Sequence, residues 1–268
     1  MMMGYLLLAL CMALWVPDMA VGNKEAWGIT EYPNPMTQPK RCGHPTEKPK
    51  SYLCDPDNLI LSTVNADQLG KLLEDLTNNT SCPCVIPAQC QGDRRGFRMG
   101  IALMKKMDMK DVPTYVNNDM TDENKQYMGL KRSINHAQKF AYHLLTQWNM
   151  GRCGDDLVLI YSEQDNVLFT FTGEQTQNHI SPSTIAEITL SEKARIGPGK
   201  ETFVGLRSIV TNYKLALQGK YRRSTSGQAS PEAAALRERR SGNSGVEVTA
   251  AVIVTSIASV MASLALHW

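Results

Sequence analysis

Three aspartates in the second half of the chain have the types and spacing that could support chemistry. Asp155 and Asp156 directly precede an unbroken apolar run at 157–161, and Asp165 lies in the polar turn that follows it. α/β sheets place their ligand sites at strand ends, and carboxylate oxygens are ligands of Ca²⁺ and Mg²⁺. The three aspartates are therefore a candidate divalent-cation site. The competing interpretation is ordinary turn and cap chemistry.

Other catalytic patterns are missing from the sequence. It contains no glycine-rich phosphate loop, no nucleophile elbow and no HExxH zinc motif. His44 and His179 are isolated, and we expect His136 and His143 to be ordinary residues on a helix surface. The sequence favours a non-catalytic protein without a cofactor, and the alternative is an enzyme that uses Ca²⁺ or Mg²⁺.

The elements that must position these aspartates are a helix and two strands. Apolar residues recur at helical spacing between 134 and 148 and predict an amphipathic helix. The run at 157–161 predicts a central strand that is covered on both faces, and alternation at 167–171 predicts a half-buried partner strand that ends at Gly173.

Further elements extend this unit along the chain. Leucines at 69, 72, 73 and 76 predict a helix that is capped by Asn65, and alternation from Phe97 to Leu103 predicts another strand. Residues 105–123 read as a polar loop, followed later by helices at about 183–195 and 203–217. Strands separated by helices predict an α/β layered domain.

Composition and charge exclude little except nucleic-acid binding. The chain has 268 residues, 43% of them hydrophobic, and a formal net charge of +2. Its late basic clusters, around Arg222 and Arg239, have no interleaved aromatic residues, so they do not resemble a nucleic-acid platform.

The N-terminus predicts secretion. Residues 6–15 are apolar but too short to span a bilayer, and small residues follow up to Gly22. We therefore expect a cleaved signal peptide at 1–22.

Secretion gives the cysteines a structural role. After the signal peptide is removed, six remain, an even number in an oxidising compartment: Cys42, Cys54, Cys82, Cys84, Cys90 and Cys153. We expect three disulfides, with Cys82 and Cys84 bonded to different partners. A zinc site at Cys82 and Cys84 lacks a second suitably spaced ligand pair. Overlapping N-glycosylation sequons occur at Asn78 and Asn79.

Several short motifs, in order, resemble the nematode modulator of levamisole receptor family. They are Tyr32-Pro33-Asn34-Pro35-Met36, Cys42-Gly43, Leu53-Cys54-Asp55-Pro56-Asp57, Phe140-Ala141, Trp148-Asn149-Met150-Gly151, Asp165-Asn166 and Gly173. The resemblance spans roughly 32–221. It implies a three-layer α/β/α sandwich of the TPM type, and a role as an auxiliary subunit of pentameric, acetylcholine-gated ion channels. Relatives with this fold imply the alternative, a divalent-cation-dependent phosphatase.

The C-terminal part predicts attachment to a membrane. The folded domain is expected at 23–223, followed by a flexible stalk at 224–245 that is rich in Ser, Gly and charge. Residues 246–266 are apolar and long enough to span a bilayer. Small residues before this segment also resemble a GPI-attachment signal, so a single span and a GPI anchor stay open. Either anchor holds the domain at the cell surface, on the extracellular side.

The stalk generates a testable prediction. Arg237-Glu238-Arg239-Arg240 fits the Arg-x-Arg-Arg pattern that furin-type proteases cut, and exposed chain is where nicking concentrates. Cleavage after Arg240 would release the domain as a soluble factor. The alternative is a solvated basic stalk that the protease does not reach, or one that contacts anionic lipid head groups. Secretory cells that express the wild type should release more soluble domain than cells that express Arg240→Ala. Equal amounts from both would contradict shedding at this site.

Overall fold

The computed structural model describes residues 24–44, 51–60, 62–90, 95–110, 112–113 and 120–222. The signal peptide predicted at 1–22, the stalk at 224–245 with Arg240, and the apolar segment at 246–266 lie outside these residues. Within the described ranges, none of the helices has both the length and the apolar character needed to cross a bilayer.

A four-stranded sheet forms the centre of the domain. Its strands are β1 (Tyr52–Cys54), β2 (Arg98–Met104), β3 (Asp156–Ser162) and β4 (Val167–Thr172), in the order β1-β2-β3-β4. The first three strands are parallel and β4 is antiparallel to β3. We call the side of the sheet where the parallel strands begin the amino edge, and the side where they end the carboxyl edge.

Five α-helices surround the sheet. They are α1 (Thr63–Asn78), α2 (Asp122–Trp148), α3 (Glu174–His179), α4 (Pro182–Ser191) and α5 (Thr202–Leu217), as seen in the described residues. Alternate strand residues point to opposite faces. Ile101 and Leu159 pack in a cluster with α1, α4 and α5, whereas Ala102 and Ile160 pack with α2. Helices therefore cover both faces, and the expected mixed α/β class is confirmed.

The two strands in the middle of the domain agree with the strands that the sequence predicts at 157–161 and 167–171. Every residue of β3 is buried, as its continuous apolar run predicts for a strand covered on both faces. Strand β4 is buried at alternate positions over its second half. The antiparallel pairing of Ser162 with Val167 closes a tight hairpin between these two strands.

Two predictions at helix starts were wrong. Ser62, not Asn65, caps α1, and its hydroxyl accepts a hydrogen bond from the Asn65 backbone N–H at 3.4 Å. The helix therefore starts one turn earlier than expected. Helix α2 begins at Asp122, within the stretch expected to be loop, because Thr121 provides its N-cap and Asp122 and Glu123 favour a helix N-terminus. Its first turns lack a buried stripe, which is why periodicity did not reveal them.

Three disulfides fasten loops of the domain to one another and to the end of β1. Cys42 bonds Cys54, Cys82 bonds Cys90, and Cys84 bonds Cys153. All six cysteines expected to be paired are therefore bonded, and Cys82 and Cys84 have different partners. The Cys84–Cys153 bridge spans 69 residues of sequence, and it ties the loop after α1 to the loop before β3.

Tyr32 fastens the N-terminal segment to the sheet. Its hydroxyl lies 2.9 Å from the carbonyl oxygens of both Cys54 and Leu103, at the ends of β1 and β2. Its ring makes edge contacts with Trp27 and Phe140, with ring centroids 5.4 and 5.6 Å apart. Burial raises the pKa of Tyr32 well above its usual value, so the hydroxyl keeps its proton and can donate.

Tyr32→Phe is expected to lower the free energy of unfolding by about 1–2 kcal/mol, because it removes a buried donor while leaving its acceptors in place. Tyr142→Phe is the control, since Tyr142 is 59% exposed. Denaturant unfolding of the secreted domain with its disulfides intact measures both variants. A Tyr32→Phe effect smaller than about 0.5 kcal/mol, the range of ordinary surface substitutions, would contradict this role.

Candidate functional site

Asp155 lies at the amino edge and binds the backbone of its own loop. Its Oδ1 accepts hydrogen bonds from the backbone N–H groups of Arg152 at 2.7 Å and Cys153 at 3.3 Å. The side chain is buried, with 3% of its surface exposed. These contacts are those of a carboxylate that caps a turn and closes the loop before β3.

Asp156 lies beside it, in a space that glycines leave open. Its Oδ2 accepts from the Gly151 backbone N–H at 2.9 Å, while its Oδ1 is buried without a hydrogen-bond partner. A Cβ at Gly173 would come within 2.6 Å of this Oδ1, and a Cβ at Gly151 would come within 2.6 Å of the Asp156 Cγ. Both positions must therefore stay glycine for the carboxyl group to fit.

Burial controls the ionisation of Asp156. Removal from water raises the pKa of this carboxyl to about 6, and the hydrogen bond from Gly151 opposes that rise. The nearby charge of Asp155 raises the pKa further. An incompletely satisfied, buried carboxyl with a raised pKa is a feature of functional sites, although structural groups share it.

Asp165 lies at the opposite edge of the sheet. It follows β3, whereas Asp155 and Asp156 stand at its start, so the seven residues of the strand separate them by about 20 Å. Its Oδ2 accepts from the Met107 backbone N–H at 2.8 Å and from the Ser162 hydroxyl at 2.5 Å. The three aspartates therefore do not converge, and a single ion cannot bind all of them.

The carboxyl edge brings together two aspartates that were not predicted as site residues. Asp57 Oδ2 accepts from the Trp27 indole N–H at 3.0 Å and from the Lys105 backbone N–H at 2.7 Å. Asp55 accepts from the backbone N–H groups of Leu59 and Ile60 at 2.8 and 2.9 Å, and burial raises its pKa to about 6. The signal was present in Asp55-Pro56-Asp57, but β1 is too short for periodicity to reveal the strand before it.

His136 was expected on the helix surface, and this prediction was wrong. It lies on the inner side of α2, 6% exposed, with its Nε2 buried and without a hydrogen-bond partner. Burial lowers the pKa of the imidazole, and the charge of Asp165 opposes that effect. His136 is thus a buried group on α2, within the electrostatic influence of Asp165 at the carboxyl edge.

Among the described residues, two groups of side chains have ligand atoms close enough together to bind a metal ion, and both consist mainly of cysteines. The two groups of three ligand atoms within 4.8 Å of one another are Cys82, Cys84 and Cys90, and Cys84, Cys153 and Asp155. Their sulfurs are disulfide-bonded. A thiolate is the form that binds a metal, so these groups are explained by the two bridges.

Asn78 and Asn79, the predicted glycosylation sites, lie at the end of α1. Asn78 is the last residue of the helix and Asn79 is its C-cap, and both are exposed. The Asn79 side chain donates to the Asp75 carboxylate at 2.5 Å. Solvent can reach both side chains, as a glycan requires, and their glycosylation stays a prediction.

Comparisons with known proteins indicate a family over about half of the chain. Residues 27–166 match the family model described as modulator of levamisole receptor-1. The comparison with curated proteins finds no match. Among solved structures, the N-terminal domain of a protein from P. gingivalis, determined by solution NMR, is 12% identical and covers 74% of this chain and 96% of its own, with a TM-score of 0.44. That similarity is too low to support a conclusion about fold or function.

The raised pKa of Asp156 predicts a pH-dependent stability. In the unfolded chain an aspartate titrates near pH 4, whereas here it titrates at about 6. The stabilising contribution of Asp156 to the free energy of unfolding is fully present below about pH 4, and it is lost as the pH rises to about 6. Asp156→Asn should therefore be more stable than the wild type at pH 7, by up to about 3 kcal/mol, with near-equal stability at low pH.

Denaturant unfolding at several pH values between about 4 and 7 measures this difference. Asp67→Asn, at an exposed position of α1, is the control and should follow the wild type. Asp55 also has a raised pKa, so the pH dependence that it adds to the free energy of unfolding should be the same in every variant. An Asp156→Asn curve parallel to that of the wild type would contradict the assigned titration.

Proposed function

Because the chain belongs to the modulator of levamisole receptor-1 family, we propose that it is an extracellular auxiliary subunit of acetylcholine-gated ion channels. The observation that carries this proposal is the family match over residues 27–166. That range contains β1, β2, β3, α1 and α2, and with them most of the sheet. The channel would be a pentameric receptor of the levamisole-sensitive type, and the modulator itself would not be catalytic.

The disulfides support the extracellular part of this proposal. Three bridges join the loops of one domain, and such bonds persist in oxidising compartments. The family description names a receptor, and receptors of this kind present their agonist sites outside the cell. A disulfide-bonded domain on that side of the membrane can contact the channel directly.

The proposed topology adds the predicted terminal segments to this domain. A signal peptide at 1–22 directs secretion, a TPM-type domain folds at 23–223, and a stalk at 224–245 leads to residues 246–266. That last segment serves as a single membrane span or as a GPI-attachment signal. The α/β architecture, a mixed parallel and antiparallel sheet with helices on both faces, supports the TPM-type assignment.

The contacts of the carboxylates support a non-catalytic role. Asp155, Asp57 and Asp165 each accept two hydrogen bonds at one oxygen, at least one of them from a backbone N–H group. A carboxylate that holds a loop in place is not free to move toward a substrate. The aspartates thus support the loops of the domain, and modulation would depend on its surface.

Co-expression with a levamisole-sensitive channel tests the proposal. We expect the full chain to change the current amplitude or the agonist sensitivity of the channel. The double variant Asp155→Asn/Asp156→Asn should retain this effect, because an amide oxygen can still accept the same backbone hydrogen bonds. Surface labelling of channel and modulator controls for expression.

Two results would contradict this function. One is an unchanged current with every levamisole-sensitive channel tested, at normal surface levels of both proteins. The other is loss of modulation in the double variant while its folding and surface level stay normal, since that would assign the aspartates a bound cation. Phosphate release by the purified domain, measured with and without Ca²⁺ or Mg²⁺, then tests the phosphatase alternative.

A further inference from the structure

A short disulfide-bonded loop at the amino edge exposes consecutive apolar residues. Residues 82–90 connect the end of α1 to the chain that leads into β2, and Cys82 bonds Cys90 across this loop. Pro83 and Cys84 are buried, whereas the next four residues, Val85 to Ala88, are exposed. We call these four residues the apolar tip.

The two large aliphatic side chains of the tip are among the most exposed apolar side chains in the described residues. Val85 is 86% exposed and Ile86 is 57% exposed, the first and fourth highest fractions among the large hydrophobic side chains exposed in the described part of the chain. Single exposed apolar residues are common on protein surfaces, but contiguous ones mark interaction sites. Removing both side chains from water would favour association with a partner.

Two disulfides hold the tip in one conformation. Besides the Cys82–Cys90 bond, Cys84 bonds Cys153 at the start of β3, with their Cα atoms 5.8 Å apart. A 3₁₀ turn at Pro87–Cys90 follows, and the Gln89 backbone N–H donates to the Ile86 carbonyl at 3.0 Å. A loop fixed in this way loses little conformational entropy on binding, and preorganisation of this kind increases affinity.

The tip lies on the same side of the domain as the end of α5, the last helix in the described part of the chain. The Gln218 side chain, just after α5, donates to the Asn79 carbonyl at 2.6 Å, and Lys214 pairs with Asp75 at 2.5 Å. Helix α5 therefore ends beside the end of α1, which lies four residues before Cys82.

The chemistry of the tip distinguishes a protein from a lipid partner. Membrane-binding loops and helices typically carry Trp or Tyr at the interface and Lys or Arg on their polar side. Residues 81–90 contain neither an aromatic nor a charged residue. Arg152 is an exposed charge close to the tip, because it is adjacent in sequence to Cys153, the disulfide partner of Cys84. A compact aliphatic tip with an arginine nearby fits a pocket in a protein.

We infer that the apolar tip is the docking element of the domain, and that it inserts into an apolar pocket with an acidic residue at its rim. Resting on the proposed function, the inference places this pocket in the extracellular domain of the modulated channel. Val85 and Ile86 fill the pocket, and Arg152 pairs with the acidic residue. Buried aliphatic contact then provides the affinity, and the charge pair fixes the orientation.

The test compares the full-length wild type with Val85→Ser/Ile86→Ser, each co-expressed with a levamisole-sensitive channel. Co-purification with the tagged channel measures binding, and agonist-evoked current measures modulation. We expect the double variant to reduce both effects about tenfold or more, since two buried aliphatic contacts are lost. Val64→Ser is the matched control and should change neither effect, because Val64 is 61% exposed and lies at the start of α1, by the carboxyl edge.

A second variant tests the tip if the serine variant is poorly secreted. Val85→Asn with Pro87→Thr creates a glycosylation sequon on the tip, so a glycan there should block docking. Its control is Gln126→Thr, which creates a sequon at the exposed Asn124, near the start of α2 and the carboxyl edge. Gel mobility reports glycan attachment in both variants.

The outcomes separate the two hypotheses. If the wild type binds and modulates the channel and the tip variants do so equally well, the docking inference is wrong and the proposed function stands. If the wild type neither binds nor modulates, the proposed function fails and the inference fails with it. Binding of the wild type to phosphatidylcholine vesicles that is lost in the tip variants would overturn the inference in favour of a lipid surface.

Discussion

Complete burial of β3 is the constraint on which the domain depends. Every residue of this strand is buried, with Leu157 and Leu159 on one face and Val158 and Ile160 on the other. Neither face can contact water without a cost of about 25 cal/mol per Å² of apolar surface. Helix α2 must therefore cover one face, and α1, α4 and α5 must cover the other.

Covering both faces forces the loops to the two edges, where their backbone groups need partners. Aspartates supply these partners: the buried Asp155 and Asp156 at the amino edge, and the buried Asp55 with the half-buried Asp57 and Asp165 at the carboxyl edge. An unpaired buried N–H group is costly, so a carboxylate oxygen that accepts it stabilises the loop. The raised pKa values of Asp55 and Asp156 are the consequence, because burial disfavours their charged form.

The disulfides stabilise parts of the domain that the packing of helices on the sheet does not hold. Regular elements are held by apolar contact, and the loop around Cys84 is also fixed covalently by two bridges. This allows Val85 and Ile86 to remain in solvent without the loop collapsing onto the sheet. Because the bridges hold this loop, its apolar side chains do not have to pack into the core to keep it in place. They stay free to form a binding surface.

The sequence by itself determined the elements whose pattern is local. The apolar run of β3, the alternation of β2, the stripe of α5 and the even number of cysteines each follow from spacing along the chain, and the structure agrees with them. The three-residue strand β1 and the first turns of α2 escaped detection, because a short or mostly exposed segment has no periodicity to read. The family resemblance was also present in short motifs, and the match over 27–166 confirms it.

Only the tertiary structure decided which of these residues meet. Asp165 stands ten residues or fewer from Asp155 and Asp156 in sequence, yet an extended strand carries it to the opposite edge of the sheet. The cysteine pairing, the burial of His136 and the nearness of Asp57 to Trp27 likewise required the fold. The physical reason is that periodicity encodes which side of an element faces the core, whereas distances between elements depend on how the sheet and its helices pack.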